Sequence, residues 1–314
     1  MADADGGVMI KQIKENQFKT QTTSIQSNLV EFDLSYNFSV PGETHKISFT
    51  VVLPQTIPER QNILSIKYSP KPSRIFKENA NRYAEFVFLN PDRKANIEIN
   101  IKAELFRYDL LTAKKKRQIE YPEDLQLDDF LKSEKHIEKD NNLIQELAED
   151  IEGETEIDIV KNIYDFVIDN LEYVILGKKD QGALRTLELG KGDCTEYSDL
   201  FVAICRAKSI PARVSSGYTI GADPASSKHN WAEVYLQEYG WVPFDPAKGD
   251  IENAAFRNIA FSRMRPIYIY LSHTRNDEIL GNYNFGAYNF WGDRPKFENS
   301  IHFKQPALPF QKNN

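Results

Sequence analysis

The chain has 314 residues, enough for two domains and for a core that needs no covalent staple. Its make-up, 41% hydrophobic and 27% charged with 15 Gly and 15 Pro, excludes collagen-like, disordered and membrane-spanning classes. With 39 basic and 46 acidic residues the net charge is −7 and the pI is near 5.4, which opposes nucleic acid as a partner because counterion release needs clustered positive charge.

Residues 1–20 contain no apolar run of signal-peptide type and read as an N-terminal tail. No window approaches about 18 consecutive apolar residues, so the expectation is a soluble, cytoplasmic chain with no membrane partner. From about Thr22 to Leu110 the hydrophobic period is two, in the runs VEFDLSYNF, HKISFTVVL, ILSIKYS, AEFVFL and ANIEINIKAELF. Turn words such as Pro41-Gly42, Pro70 to Pro72 and Asn90-Pro91-Asp92 separate them. The pattern predicts an antiparallel β-sandwich of six or seven strands, a domain over residues 21–118. Lys114-Lys115-Lys116-Arg117 reads as a solvated loop, since Glu120, Glu123 and Asp124 follow. The polar stretch Lys114 to Asp129 connects to a second domain, residues 119–314.

In that second part the period changes. Val160, Ile163, Tyr164, Val167 and Leu171 form the apolar stripe of a helix over Glu156 to Leu171. A second helix is predicted to start at Cys194, with Asp193 as cap and Glu196 at the capping-box position. Its buried stripe would be Tyr197, Leu200, Phe201, Ile204 and Ala207, and Ile210-Pro211 ends it. Strands follow at Ala212 to Thr219, Asn230 to Leu236 and Trp241 to Phe244, the last two joined in a hairpin through Gln237 to Gly240. The remainder holds the strand-like IYIYL and an aromatic group, Tyr283 to Trp291, expected to form a strand-and-turn core of the C-terminal part, with covering a cleft and contacting substrate as the other reading.

The two cysteines, Cys194 and Cys205, form no CxxC pair and so give neither a disulfide scaffold nor a thiol zinc site. Eleven residues apart on one helix, their Cα atoms stand about 16 Å apart, beyond disulfide reach. Cys205, mid-helix, reads as a small core residue. Cys194 stands at a helix start, where unpaired N–H groups and the helix dipole favour the thiolate, so it is expected to react with an alkylating agent well below pH 8 while Cys205 stays silent. The charge of Asp193 works against this, and the thiol therefore needs a base. His229 begins one strand of the hairpin and Asp245 ends the other, within a few positions of each other. Cysteine, histidine and aspartate in this order fit a nucleophile, a general base and the group that orients it.

The words around these residues carry a resemblance. Gly192-Asp193-Cys194, Leu200 to Ala207, Ile210-Pro211-Ala212-Arg213, Ser216-Gly217-Tyr218, His229 to Tyr235 and Gly240 to Pro246 together resemble the transglutaminase-like core of bacteria and archaea, over about Ile157 to Asp250. The resemblance implies an α+β fold: a papain-like transglutaminase core, helices packed on a small antiparallel sheet, preceded here by the all-β sandwich domain. It implies Cys194 as nucleophile, His229 as general base and acid and Asp245 as orienter, with no cofactor and no metal. The cysteine pairs of a zinc-bearing peptide N-glycanase and the acidic spacing of a calcium loop are both absent from the sequence. The family often has Thr where this chain has Ala247, and Gly where it has Ser209.

On this reading the protein is a cysteine-dependent acyl-transfer enzyme that cleaves amide bonds of a protein or peptide substrate through a thioester, with hydrolysis favoured over amine transfer. Protein-glutamine transglutaminase or deamidase activity is the alternative, and a non-catalytic scaffold that binds through the β-sandwich is the competing class. The Cys194 N–H is half of the expected oxyanion hole, with Tyr173 and Gln181 as candidates for the second donor. Gly192 would let substrate approach closely, and Trp231 and Trp241 either pack the sheet or wall the cleft.

Overall fold

The computed structural model describes residues 26–78, 80–115, 127–177, 180–221, 228–281 and 283–304. The tail over residues 1–20, Lys116 and Arg117 of the basic cluster, and most of the polar connection lie outside these residues. Of that cluster, Lys115 is exposed and pairs with Glu238 at 2.6 Å. Among the described residues no helix is long and apolar enough to cross a membrane.

The strands in chain order are β1 (Ser27–Ser39), β2 (Thr44–Leu53), β3 (Gln61–Ser69), β4 (Arg74–Glu78), β5 (Asn81–Leu89), β6 (Lys94–Phe106), β7 (Tyr108–Asp109), β8 (Glu172–Tyr173), β9 (Lys191–Gly192), β10 (Ala212–Thr219), β11 (Lys228–Leu236), β12 (Gly240–Phe244), β13 (Arg263–Met264), β14 (Tyr268–Ser272), β15 (Gly286–Gly292) and β16 (Lys296–Phe303). The helices are α1 (Asn142–Asp150), α2 (Glu156–Asn170), α3 (Ala183–Leu189), α4 (Cys194–Ala207), α5 (Pro246–Gly249) and α6 (Ala254–Ser262), with a 3-10 turn at Leu127–Leu131.

The chain divides into two compact units. Among the described residues the β unit draws on the stretches within 26–107, 216–229 and 265–304, and the mixed unit on those within 108–215 and 230–264. In the β unit two antiparallel sheets, β16-β1-β6-β3 and β15-β2-β5-β4, share one core. Period-two alternation drives this: along β1 the side chains of Val30, Phe32, Leu34, Tyr36 and Phe38 are buried while their neighbours are not. Tyr36 of the first sheet meets Phe49 of the second with ring centroids 4.7 Å apart. Within the same unit the end of β10 pairs with β14, Gly217 against Tyr270.

The C-terminal strands differ from the expectation that they extend the second domain. β16 pairs along β1 from Phe32↔Phe303 to Ser39↔Lys296, and β15 pairs with β2. Each supplies an outer strand to a sheet begun at the other end of the chain, so residues 265–304 belong with the sandwich. The Tyr283 to Trp291 group divides accordingly: Tyr288 meets Phe38 and Phe297 in the sandwich core, whereas Trp291 is 48% exposed beneath the Lys46 ammonium. Strand β4 is one that its sequence, RIFKE, conceals. At a sheet edge only the pairing with β5 is required of it, and charges there discourage further strand addition.

The mixed unit is organised around α4. Every residue from Glu196 to Arg206 is buried, not only the predicted stripe, because α1, α2, α3 and α5 all pack on this helix. α2 begins with a capping box between Thr155 and Asp158 and buries Val160, Ile163, Tyr164, Val167 and Ile168. The end of α4 follows from Ser209, whose φ of 60° puts it in the left-handed region that favours glycine. Ile210 N–H then reaches Cys205 O at 3.0 Å and Ser209 N–H reaches Arg206 O at 3.0 Å, a Schellman closure. The hairpin β11–β12 has the register its turn predicts, Ala232↔Phe244 to Leu236↔Gly240.

Candidate active site

Cys194 is the first residue of α4, and its surroundings follow from how that helix begins. The Asp193 carboxylate accepts from Thr195 N–H at 2.8 Å, which satisfies one orphan donor of the first turn. Glu196 reaches back and accepts from Asp193 N–H at 3.0 Å, and its other oxygen accepts from Gln181 N–H at 3.1 Å. The side chain of Glu196 lies in the space that Gly192 leaves: a Cβ on Gly192 would fall 2.3 Å from Cβ of Glu196. Glycine here serves the capping box, whereas the sequence suggested an opening for substrate. Burial, and then the charge of Asp193, push the Glu196 carboxyl up.

The short parallel pair β8–β9 brings Tyr173 opposite Gly192, and Val174 N–H donates to Gly192 O at 2.9 Å. The Tyr173 hydroxyl is pushed up by burial and then by Cys194, Asp193 and Asp245, so it lies within reach of their charges. Its ring is 5.9 Å from that of Tyr197. Both candidates for a second oxyanion donor, Tyr173 and Gln181, are thus drawn to the start of α4.

Asp245 follows the last paired residue of β12 and turns out of the ladder to cap α5, accepting from Lys248 N–H at 2.9 Å. Its own carbonyl accepts from Gly249 N–H at 2.9 Å and from the Tyr164 hydroxyl at 3.2 Å. Gly249 admits that hydroxyl because it lacks a side chain: a Cβ would lie 1.5 Å from the Tyr164 oxygen. Ala247 is buried inside α5. His229 is the second residue of β11, with its ring 6.2 Å from that of Tyr268. At 8% and 3% exposed, His229 and Asp245 both sit in surroundings where a charge needs a partner.

The thiol behaves differently from the expectation of a depressed pKa. Cys194 is pushed up to about 12, by burial first and then by Asp193, with Asp245 adding to the rise. Lys248 and the backbone N–H of Asn230, which hydrogen-bonds the sulfur, pull the other way without prevailing. Burial disfavours the thiolate and opposes the pull of the helix start. Burial also pushes Cys205 up, in keeping with a core residue.

Asn230 is the residue sequence reasoning passed over. It is 5% exposed, and its amide nitrogen donates to Thr195 Oγ1 at 2.9 Å, one residue beyond Cys194. The available signal was its place directly after His229 in the word HNWAEVY. Trp231 is fully buried. Trp241 shares a hairpin face with Tyr235, stands edge-on to Phe130 at 4.9 Å and carries the Arg213 guanidinium 4.0 Å above its ring. Alternation puts that face opposite Phe244, whose ring packs 5.9 Å from Phe201 of α4. Among the described residues no group of three His, Cys, Asp or Glu is placed to hold a metal ion.

Residues 145–246 match the transglutaminase-like superfamily. An uncharacterised protein of Haemophilus influenzae is 27% identical over 259 residues, 70% of this chain and 69% of that protein. The uncharacterised protein YebA of Bacillus subtilis is 34% identical over 119 residues, 32% of this chain and 16% of its own length. The fold is similar to that of a candidate cysteine protease from Cytophaga hutchinsonii, with a TM-score of 0.56 and 18% identity, covering 91% of this chain and 96% of the other. Residues 145–246, the part of the chain that matches the transglutaminase-like superfamily, hold Cys194, His229 and Asp245.

Proposed function

We propose that the protein is a cysteine-dependent acyl-transfer enzyme that cleaves amide bonds, with Cys194 as nucleophile, His229 as general base and acid and Asp245 as the group that orients the imidazole. The observation that supports this best is the hydrogen bonding of β11 to the first turn of α4 at Asn230, the residue next to His229. A thiol held near 12 is no nucleophile by itself at neutral pH, so the proton must leave as attack begins, and the imidazole of His229, next in sequence to Asn230, is the base suited to take it.

Cys194 Sγ then bonds the amide carbonyl carbon while its proton passes to His229. The tetrahedral oxyanion rests on the Cys194 N–H and on a second donor, Tyr173 or Gln181. His229 returns the proton to the leaving amine, the C–N bond breaks and a thioester remains. Water, deprotonated by His229, releases the acid and restores the thiol. Hydrolysis is the favoured outcome; a primary amine in place of that water would give transamidation by the same steps.

Hydrolysis of fluorogenic peptides, measured beside amine incorporation into a glutamine-bearing protein, tests this. Cys194→Ala is expected to abolish whichever activity is present. If Cys194→Ala equals wild type in both assays, the enzyme reading is wrong and the scaffold reading takes its place.

A further inference from the structure

We propose that Asn230 is a positioning residue, which clips the strand carrying His229 to the helix turn carrying Cys194 by bonding Thr195 through its side chain and the Cys194 sulfur through its backbone. The inference rests on the proposed roles of Cys194 and His229 and adds what holds them in place.

Three observations carry it. Asn230 is nearly fully buried, and a buried amide is tolerated where its polar atoms are engaged. Its Nδ2 donates to Thr195 Oγ1 at 2.9 Å, while Thr195 is itself held from below by the Asp193 carboxylate on its N–H. The hydroxyl therefore offers a fixed anchor rather than a mobile one. Asn230 N–H, finally, hydrogen-bonds the sulfur of Cys194.

Asn230 and His229 share one peptide link, with Cα atoms about 3.8 Å apart, so fixing Asn230 leaves the histidine little freedom of position. Reaction rates fall steeply when reacting groups are misplaced by about 1 Å, and such a clip is worth more to the rate than to the stability. The charged and titratable groups acting on the sulfur include Asp193 on the helix cap, Asp245 and Lys248 from the α5 end and Tyr173 from β8. Asn230 adds a neutral backbone donor to these.

The test uses the full chain carrying Asn230→Ala, Thr195→Val or both, with Thr195→Ser as the conservative control. Alkylation of Cys194 by iodoacetamide is followed by peptide mass spectrometry from pH 6 to 11, and peptide hydrolysis is measured in parallel. Asn230→Ala and Thr195→Val are each expected to lower kcat by about 10- to 100-fold with KM changed less than about threefold, and to move the alkylation profile to higher pH. The double variant should be no worse than either single one, and Thr195→Ser should match wild type. Should Asn230→Ala not fold, the contrast between Thr195→Val and Thr195→Ser decides alone. An alkylation profile unchanged in Thr195→Val, or losses that simply add in the double variant, overturns the clip. Absence of both hydrolysis and amine incorporation in wild type would sink the enzyme reading instead, and the alkylation profile would still decide on Asn230.

Discussion

The absent side chain of Gly192 and the side chain of Glu196 claim the same volume, with 2.3 Å between a Cβ on one and Cβ of the other. Glu196 in that volume holds Asp193 N–H and Gln181 N–H together, so the turn that presents Cys194 is built around a missing methyl group. Gly192→Ala must displace the first turn of α4. It is expected to cost about 1–3 kcal/mol in urea unfolding and to depress activity more than a comparable loss of stability elsewhere. Unfolding and activity both equal to wild type would show that the turn has slack.

Asp193→Asn separates the cap from its charge. Asparagine caps a helix about as well as aspartate, so the fold should hold, while removing the neighbouring negative charge lowers the Cys194 pKa from about 12. Alkylation of Cys194 at pH 8 is expected to rise several-fold. A rate that stays the same would mean that burial alone sets the thiol.

The same raised pKa links folding to pH. The folded state holds the Cys194 proton more tightly than the unfolded chain, whose thiol loses it near 8.5. This contribution to stability is present below about 8.5 and is lost as pH rises toward about 12. Stability measured from pH 8 to 11 should therefore fall more steeply in wild type than in Cys194→Ala. Parallel curves would contradict the desolvated thiol.

Tyr164 and Gly249 form a second matched pair. Tyr164→Phe removes the hydroxyl bonded to the Asp245 carbonyl and is expected to cost about 1 kcal/mol. Gly249→Ala, which would place a carbon 1.5 Å from that hydroxyl, should cost about 2–3 kcal/mol in wild type and less in the Tyr164→Phe background. Strict additivity in the double-mutant cycle would show that the two positions do not meet.

A buried ion pair gives a check on the sheet behind the hairpin. Glu233 pairs with Arg213 at 2.8 Å and accepts from Ser215 at 2.8 Å, with hardly any exposure. Glu233→Ala leaves the Arg213 charge without its carboxylate in a dry site, and a loss of about 3–5 kcal/mol is expected from thermal or urea unfolding.

Much of this architecture is local and so was legible. Period two marks β1 to β3, β5 and β6, and Asp193 and Glu196 announce the start of α4. What escaped depends on contacts distant in sequence. The pairing of β16 with β1 leaves no periodic trace in either strand. The thiol of Cys194 was expected low because a helix start is visible locally, whereas the burial that overrules it belongs to the tertiary fold. Asn230 escaped for the same cause: its partner Thr195 lies 35 residues earlier.

The pairing of β16 with β1 and of β15 with β2 also sets an order of events on the ribosome. Strands β1 to β6 emerge first, yet one flank of each sheet stays open until residues 286–303 have been made. The whole mixed unit is synthesised during that wait. A nascent chain stalled anywhere in between carries two unpaired strand edges, which makes it a substrate for chaperones and prone to self-association.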